Sequence, residues 1–240
     1  MPYGAGWSPQ AGLTWGDLDH ETQAFGLAVT GGLVSTTGIS GFTLGGGVGW
    51  LLRRHGLASD NPTAAEVVTA DGRVVRADPQ QHSDLHWALR GGGNFGVVTS
   101  LEYQLHPVGP QALAGLIIYP LDEARQVVTG WREPSGRMPD ELTTLVNLTT
   151  APPLSFLPPE VHGTRLVVLA GMYAGDPAAG EAAVGPLRGL GTPPTSWVRC
   201  RTRACSHCWT RCGRPARTTT SRRRSSSRPT PRSTPCCGTT

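Results

Sequence analysis

The sequence predicts an α+β fold, and three observations carry that prediction. Apolar runs with strand spacing alternate with helical patterns, the dipeptide Asp71-Gly72 gives a hairpin signal between two strand-like segments, and the second half orders its elements as β-α-β-β-α. The chain has 240 residues, and the part before the C-terminal tail is long enough to bury a sizeable core. We therefore expect a globular body in which helices lie on one face of an antiparallel sheet.

Local signals predict the elements of the first half. A Thr14–Asp17 capping box opens the first helix, in which Leu18, Thr22 and Phe25 recur at helical spacing. A strand over 27–29 follows, and then two hairpin strands over 66–70 and 73–77. The last two elements are a helix that is capped by Ser83 and runs to Arg90, and a strand over 97–105 with Leu101, Tyr103 and Leu105 on one face.

The pattern changes after Pro107, and we place a domain boundary at 106–110. The elements predicted beyond it are a strand over 116–119, a helix over 122–131, strands over 142–148 and 165–173, and a helix capped by Asp176-Pro177 that reaches Arg188. The organisation expected is an irregular start over 1–10, a first domain over 11–108, a partial second domain over 109–190 and a tail over 191–240.

The tail differs in composition from the rest of the chain. Residues 199–240 hold eleven of the 21 basic residues and no acidic one. The net charge of +4 is therefore the sum of a negative charge on the body and a positive charge on the tail. With almost no large apolar side chain, the tail is expected to be disordered. Nearly all of its residue types have G or C in the second codon position, and the chain has no Lys, which indicates a frameshift near 191–198 in a GC-rich gene.

All six cysteines lie in the tail. The spacing of Cys200, Cys205 and Cys208 matches part of an iron–sulfur pattern, and His207 with Cys205, Cys208 and Cys212 could be drawn as a zinc site. Both readings lack a folded scaffold, so we expect no metal. A basic tail also binds nucleic acid only non-specifically, through phosphate contacts.

Two glycine-rich segments are the candidates for a ligand-binding site. The first, from Gly31 to Gly56, includes the run Gly45-Gly-Gly-Val-Gly49, and the second is Gly91-Gly-Gly-Asn-Phe-Gly96. Glycine lets backbone N–H groups approach a ligand, and successive free N–H groups form a nest for phosphate. The alternative is a set of tight turns where backbones pack closely. Neither a dinucleotide fingerprint nor a phosphate-loop lysine is present.

These segments carry a family resemblance. The blocks over 31–61, 65–72 and 84–99, which include Gly45-Gly-Gly-Val-Gly-Trp50 and Gly91-Gly-Gly-Asn-Phe-Gly-Val-Val-Thr99, resemble the FAD-linked oxidases related to berberine bridge enzyme, in the vanillyl-alcohol oxidase superfamily. The resemblance implies a flavoprotein in which 11–108 are the C-terminal part of a PCMH-type FAD-binding domain and 109–190 begin a substrate domain. The two segments are then expected to form one wall of the flavin pocket.

Carried over from the family's motif, the residues expected to contact FAD share a place in or beside these glycine-rich segments. They are Ser35, Thr36, Gly38, Gly41, Thr43, Gly45, Gly46, Gly49, Gly96, Val97 and Val98.

Several residues depart from the family's pattern. Family members begin with a further subdomain whose Arg-Ser-Gly-Gly-His loop holds the pyrophosphate, and no such segment precedes Ala11, so half of the cofactor cradle is expected to be absent. Val34 stands where bicovalent members have Cys, which excludes that linkage, and Phe42 stands where His is usual. The catalytic base comes from later in the family's substrate domain, so the catalytic residue is unknown.

The resemblance implies an FAD-dependent oxidoreductase that moves a hydride from an alcohol, sugar or amine-type C–H to flavin, with O2 as a possible acceptor. We expect this chain to be an incomplete or inactive fragment, and each histidine outside the tail to be a surface or packing residue. A non-catalytic binding module with a basic, metal-binding arm stays an alternative. A phosphate- or acyl-handling enzyme would need a nucleophile with an oriented base. With neither signal peptide nor membrane-spanning run, a cytoplasmic location is the default.

Overall fold

The computed structural model describes residues 8–92, 94–109, 111–153, 157, 159–191 and 200–202. The helices are α1 (Trp15–Gln23), α2 (Ile39–Leu44), α3 (Leu52–His55), α4 (Ser83–Leu89), α5 (Ala124–Ser135) and α6 (Pro177–Val184). The strands are β1 (Leu27–Ala28), β2 (Pro62–Val68), β3 (Val74–Ala77), β4 (Val97–Tyr103), β5 (His106–Pro107), β6 (Ala112–Pro120), β7 (Leu142–Thr150), β8 (Arg165–Tyr173) and β9 (Cys200–Thr202).

The first body is built on an antiparallel sheet with strand order β3-β2-β4. Leu101 and Tyr103 of β4 are buried, as the alternating pattern predicts, and they lie in one core with Val67 of β2. Trp15 and Leu18 of α1 complete this core, and both are fully buried. An aromatic and aliphatic core of this kind holds α1 against the sheet.

The start of α1 confirms the capping-box prediction. The Thr14 amide donates to Asp17 Oδ2 at 2.9 Å, and the Asp17 amide donates to Thr14 Oγ1. The predicted helical place of Phe25 is wrong, because α1 ends at Gln23 and Phe25 is 57% exposed. Gly26 then adopts a φ of +66°, which turns the chain into β1.

The predicted hairpin between β2 and β3 is confirmed, but its loop is longer than two residues. The Thr69 amide donates to the Arg73 carbonyl at 2.9 Å, which leaves a loop over 70–72. Gly72 has a φ of +81°, the left-handed conformation that such a three-residue loop requires. Asp71 accepts hydrogen bonds from Thr69 Oγ1 and from Arg73 Nε, so the side chains on both sides of the loop stabilise the turn.

The helix predicted over 83–90 is confirmed as α4, whereas Ser83 as its cap is wrong. Ser83 is the first helical residue, and His82 before it has a φ of +52° and makes no capping side-chain hydrogen bond. The preceding loop is ordered instead by Asp78, whose Oδ1 accepts from the amides of Gln80 and Gln81 at 2.9 and 2.7 Å.

The second body is an antiparallel sheet with strand order β7-β8-β6-β9. The chain order β6-α5-β7-β8-α6 confirms the predicted β-α-β-β-α arrangement and the α+β class. One face of the sheet carries Ile117 and Leu169, which pack with Val127 of α5 and Val184 of α6. The Asp176 carboxylate accepts from the amide of Ala178 at 2.7 Å, so this predicted cap is confirmed.

The opposite face of the second sheet packs on the first body. Ala114, Ala170 and Met172 lie in one buried cluster with Trp50 and Leu51, which precede α3. Small side chains on the sheet let the large Trp50 ring come close to the strands. The two bodies therefore share a continuous apolar contact.

Two arginines of α3 add polar contacts to the same seam. The Arg53 guanidinium donates to the carbonyls of Ser135 and Met138 at 2.8 and 2.7 Å, and Arg54 donates to the carbonyl of Ala174 at 2.7 Å. Charged donors satisfying carbonyls in this way make the stronger class of hydrogen bond. The short helix α3 thus ties the two bodies together.

Three residues of the tail are described as a strand. Residues 200–202 form β9, which pairs antiparallel with β6 so that Ala114 lies opposite Cys200. The expectation of disorder over 191–240 stays a prediction. Because a β ladder uses backbone groups that nearly any sequence supplies, this pairing does not test the frameshift hypothesis. Residues 192–199 and 203–240, with the cysteines at 205, 208 and 212 of the drawn metal sites, lie outside the described residues.

Candidate cofactor-binding site

The first glycine-rich segment runs from the end of β1 across the top of α1 and through α2. Gly38 bridges to Thr14 and precedes α2. After α2 the chain passes Gly45, Gly46 and Gly47 in a loop before the seam helix α3. The segment therefore places five glycines within residues 38–47.

Three glycines of this segment face open space. A Cβ built on Gly38, Gly41 or Gly46 meets no other heavy atom within 4 Å. Gly46 also has a φ of +103°, a conformation that side-chain-bearing residues rarely adopt. Nothing in the described protein fills the space beside these three residues, so a ligand could lie directly against their backbone.

The other glycines of the segment are explained by packing inside the protein. The indole of Trp15 lies against Gly31 and Gly32, at 2.6 and 2.9 Å from a built Cβ. A Cβ on Gly47 would lie 2.5 Å from the Phe42 ring, and one on Gly49 only 2.0 Å from the carbonyl oxygen of Gly31. At these positions the tight-turn alternative is the correct interpretation.

The two glycine-rich segments meet, as the flavin-wall prediction requires. A Cβ built on Gly91 would lie 3.9 Å from the Gly46 Cα and 3.9 Å from Ser59 Oγ. Ser59 lies in a 3₁₀ turn (Ala58–Asp60), and its amide donates to the Gly46 carbonyl at 2.8 Å. Arg90 Nε donates to the Ser59 carbonyl at 3.0 Å, so the end of α4 is fixed to the same turn. We refer to Gly46, Ser59 and Gly91 as the glycine crossing.

The predicted nest of free amides is wrong at the crossing. The amides of Gly45 and Gly46 donate to the carbonyls of Gly41 and Thr43 at 3.3 and 3.1 Å, since they close the end of α2. The amides of Gly91 and Gly92 donate to carbonyls of α4, each at 3.1 Å. The crossing therefore offers side-chain-free surface rather than unused amide donors.

The remaining predicted residues of the first segment divide between surface and core. Thr36 is exposed, whereas Ser35 is buried and its carbonyl accepts from the Gly16 amide at 2.8 Å. Thr43 is fully buried, with its hydroxyl 2.7 Å from Tyr103 Oη. Burial raises the pKa of the Tyr103 phenol, and the Thr43 hydrogen bond opposes that rise. The side chain of Thr43 thus belongs to the core.

The second predicted block follows β4 away from the crossing. A Cβ on Gly96 would lie 2.6 Å from the Val68 carbonyl oxygen, so this glycine allows a close approach to β2. Val97 is 68% exposed, and Val98 is buried in the core of the first body. Of this block, only Val97 presents its side chain to the outside.

The histidines reveal a feature that the sequence did not predict. The rings of His55 and His106 stack with centroids 3.8 Å apart and planes 8° from parallel. His106 Nε2 donates to Asn61 Oδ1 at 2.7 Å, because the Asn61 amide nitrogen itself donates to the carbonyls of His55 and Leu57. Two histidines 51 positions apart in sequence carry no local spacing signal, so only the fold brings them together.

The stacked pair lies where α3 meets β5, beside the seam. Burial lowers the pKa of His55 to about 4, and the neighbouring His106 and Arg54 act in the same direction. Burial and Arg54 also lower the pKa of His106. Both rings are therefore neutral near pH 7. They act as packing groups, in agreement with the interpretation given to each histidine.

Within the ranges described, no helix is long and apolar enough to cross a membrane. Among the same residues, no three His, Cys, Asp or Glu side chains lie close enough together to hold a metal ion. The candidate site is thus defined by the glycine crossing and the open glycines of α2.

Comparison with known proteins identifies the cofactor. Residues 9–78 match the FAD binding domain family. An FAD-linked oxidoreductase of Dictyostelium discoideum is 36% identical over 192 residues, which cover 79% of this chain and 39% of that protein. The crystal structure of 6-hydroxy-D-nicotine oxidase from Arthrobacter nicotinovorans matches with a TM-score of 0.71 at 31% identity, over 85% of this chain and 44% of that one.

A berberine bridge enzyme-like protein of Physcomitrella patens shares the fold, with a TM-score of 0.68 at 24% identity, over 81% of this chain and 40% of that one. The chain thus spans about two fifths of the length of these relatives. The matched segment contains all the open glycines and Ser59. Residues 9–78 therefore form an FAD binding domain, the chain is similar to FAD-linked oxidoreductases, and its cofactor is FAD.

Proposed function

We propose that this chain supplies one wall of the FAD site in an oxidoreductase that removes a hydride from a C–H next to an alcohol, sugar hydroxyl or amine nitrogen. Bound FAD would supply the electron-accepting chemistry, and O2 or another acceptor would reoxidise it. The protein's part is to bind and orient the cofactor.

The observation that carries the proposal is the meeting of the two glycine-rich segments at Gly46 and Gly91. Segments 45 residues apart in sequence form one surface, and the open glycines Gly38 and Gly41 continue it along α2. Glycine at an exposed helical position costs stability relative to alanine. A ligand that lies directly against the backbone would explain why glycine stands at these positions in spite of the lost stability.

The described side chains around the crossing suit binding more than proton transfer. Arg90 is held by the Ser59 carbonyl and lies 3.7 Å from Asp60. The Asp60 carboxylate accepts from the Leu57 amide at 2.8 Å, so it caps its own turn. We assign no catalytic residue; His55 and His106 stack on each other, and His106 Nε2 donates to Asn61 Oδ1.

Amine oxidation gains support from one of the similar structures, which is that of a 6-hydroxy-D-nicotine oxidase. We further propose that the chain as given oxidises little substrate by itself, because the family's catalytic base is expected from a later part of the substrate domain. The cytoplasmic location expected from the sequence stays a prediction that cell fractionation would test.

Flavin binding and turnover can be measured separately. The purified full chain, incubated with FAD and passed through a desalting column, is expected to retain flavin absorbance near the band of oxidised FAD. Addition of alcohols, sugars or cyclic amines under air is expected to give little hydrogen peroxide. Protein that retains no flavin would contradict the FAD-site proposal, and rapid peroxide formation would contradict the proposal of low activity.

The alternative of a binding module with a metal-binding arm rests on the tail, and its cysteines at 205, 208 and 212 lie outside the described residues. Metal analysis of the purified chain discriminates the two, because the FAD-site proposal expects flavin and the alternative expects zinc or iron.

A further inference from the structure

We propose that Ser59 is a further cofactor-binding residue, whose hydroxyl donates a hydrogen bond to an oxygen of FAD at the glycine crossing. The proposal rests on the proposed FAD site and is independent of the oxidation reaction.

The backbone of Ser59 is fixed on both sides. Its amide donates to the Gly46 carbonyl at 2.8 Å, and its carbonyl accepts from Arg90 Nε at 3.0 Å. These two bonds tie the 3₁₀ turn to the glycine loop and to the end of α4. The Ser59 side chain is thereby held beside Gly91, with Oγ 3.9 Å from the place of a Cβ on that glycine.

The hydroxyl itself has no partner inside the described protein. Ser59 is 3% exposed, and none of the hydrogen bonds among the described residues uses its Oγ. Ser59 Oγ is not among the fully buried polar atoms without a partner, so this atom reaches the surface of the described protein. It can therefore donate to a ligand oxygen, and the open side of Gly46 leaves room for one.

The other donors at the crossing are already used. The amides of Gly45, Gly46, Gly91 and Gly92 all donate to carbonyls of their own helices. FAD presents many acceptor oxygens, in its pyrophosphate, its ribityl chain and its ring carbonyls. A serine hydroxyl is suited to any of them, because it can donate and rotates freely.

The test compares Ser59→Ala and Ser59→Cys with the wild-type chain. We expect the dissociation constant for FAD, measured by quenching of flavin fluorescence, to rise about three- to tenfold in both variants, as for loss of one hydrogen bond. The melting temperature of the FAD-free protein should stay unchanged or rise, since the hydroxyl has no partner to lose. Ser83→Ala, an exposed serine on α4, is the matched control and should change neither quantity.

Two results would overturn the proposal. One is unchanged FAD affinity in both Ser59 variants. The other is a weaker affinity that comes with an equally large loss of stability in the FAD-free protein, because that would make Ser59 a structural residue. Wild-type protein that binds no FAD would overturn the proposed site itself, and this outcome is distinct from the other two.

Riboflavin and FMN locate the contact. If Ser59→Ala weakens only FAD, the partner oxygen lies in the adenosine half or its phosphate. If it weakens all three ligands alike, the partner oxygen lies on the flavin ring or the ribityl chain. Either pattern supports the proposal, whereas no change for any ligand contradicts it.

Discussion

Within residues 38–55, the first glycine-rich segment has two halves that use the same residue type for opposite purposes. In the open half, residues 38–46, a Cβ on Gly38, Gly41 or Gly46 would meet nothing within 4 Å. In the closed half, residues 47–55, a Cβ on Gly49 would collide with the Gly31 carbonyl oxygen at 2.0 Å, and α3 is bonded to the second body. A run of glycines therefore shows that side chains are excluded, but not whether a ligand or the protein excludes them.

The largest effect is expected in the closed half. Gly49→Ala places a methyl group against a backbone carbonyl that cannot rotate away, so we expect a loss of about 3 kcal/mol or more in the free energy of unfolding, or failure to fold. Urea denaturation of the purified variant measures it. Gly136→Ala, where a Cβ meets nothing within 4 Å, is the control and should cost little. A Gly49→Ala protein as stable as the wild type would contradict the claim that the closed half has no room for a side chain.

Thr43 tests whether a residue of the open half can belong to the core. Thr43→Val keeps the shape but leaves the buried Tyr103 hydroxyl without its partner at 2.7 Å. The expected loss in unfolding free energy is about 1–3 kcal/mol. FAD affinity per folded molecule should be unchanged, as titration under native conditions would show. Weaker FAD binding without a loss of stability would restore Thr43 as a side-chain ligand.

The histidine pair tests how tightly the closed half is packed. Because the pKa of His55 in the folded protein, about 4, lies below the ordinary value of 6.5, the unfolded chain takes up protons first as the pH falls. Stability should be complete above about pH 6.5 and decrease toward pH 4, by roughly 1–2 kcal/mol for a half-buried ring.

His55→Phe keeps a stacked ring and removes this titration, so its melting temperature should change less between pH 7 and pH 4.5 than that of the wild type. His20→Gln alters an exposed histidine and serves as the control. The same pH slope in His55→Phe as in the wild type would show that the stacked pair does not set the acid sensitivity.

The smallest effect on stability, and the opposite sign, is expected in the open half. Gly41 lies inside α2 with free space around it, so Gly41→Ala should raise the unfolding free energy by about 0.5–1 kcal/mol. The same methyl group would stand on the surface assigned to FAD and should weaken flavin binding. Gly136→Ala should leave flavin affinity unaltered. An unaffected affinity in Gly41→Ala would place the cofactor elsewhere.

Local signals predicted much of the fold. The capping box of α1, the hairpin of β2 and β3 and the β-α-β-β-α order of the second body are set by neighbours within a few residues, and each is confirmed. The cap predicted at Ser83 is misplaced by one residue, since α4 begins at Ser83 and His82 is its N-cap. Element ends are harder to predict than element types.

The candidate site was only partly predictable. The positions of the glycines and their family resemblance indicated a flavin wall, yet the sequence could not separate Gly46, which faces open space, from Gly49, which packs on Gly31. Ser59 gave no signal because a single serine in a turn is common. Its meaning comes from a contact with Gly91, which is distant in sequence.

The amino-acid order alone predicted the α+β fold class and FAD as the cofactor, because these depend on periodicity and on motifs read along the chain. Only the tertiary structure decided which glycine amides are already bonded, that the Ser59 hydroxyl lies beside Gly91, and that His55 stacks on His106. The physical reason is that free space and unmet hydrogen bonds are properties of atoms brought together from distant segments, and no local pattern encodes them.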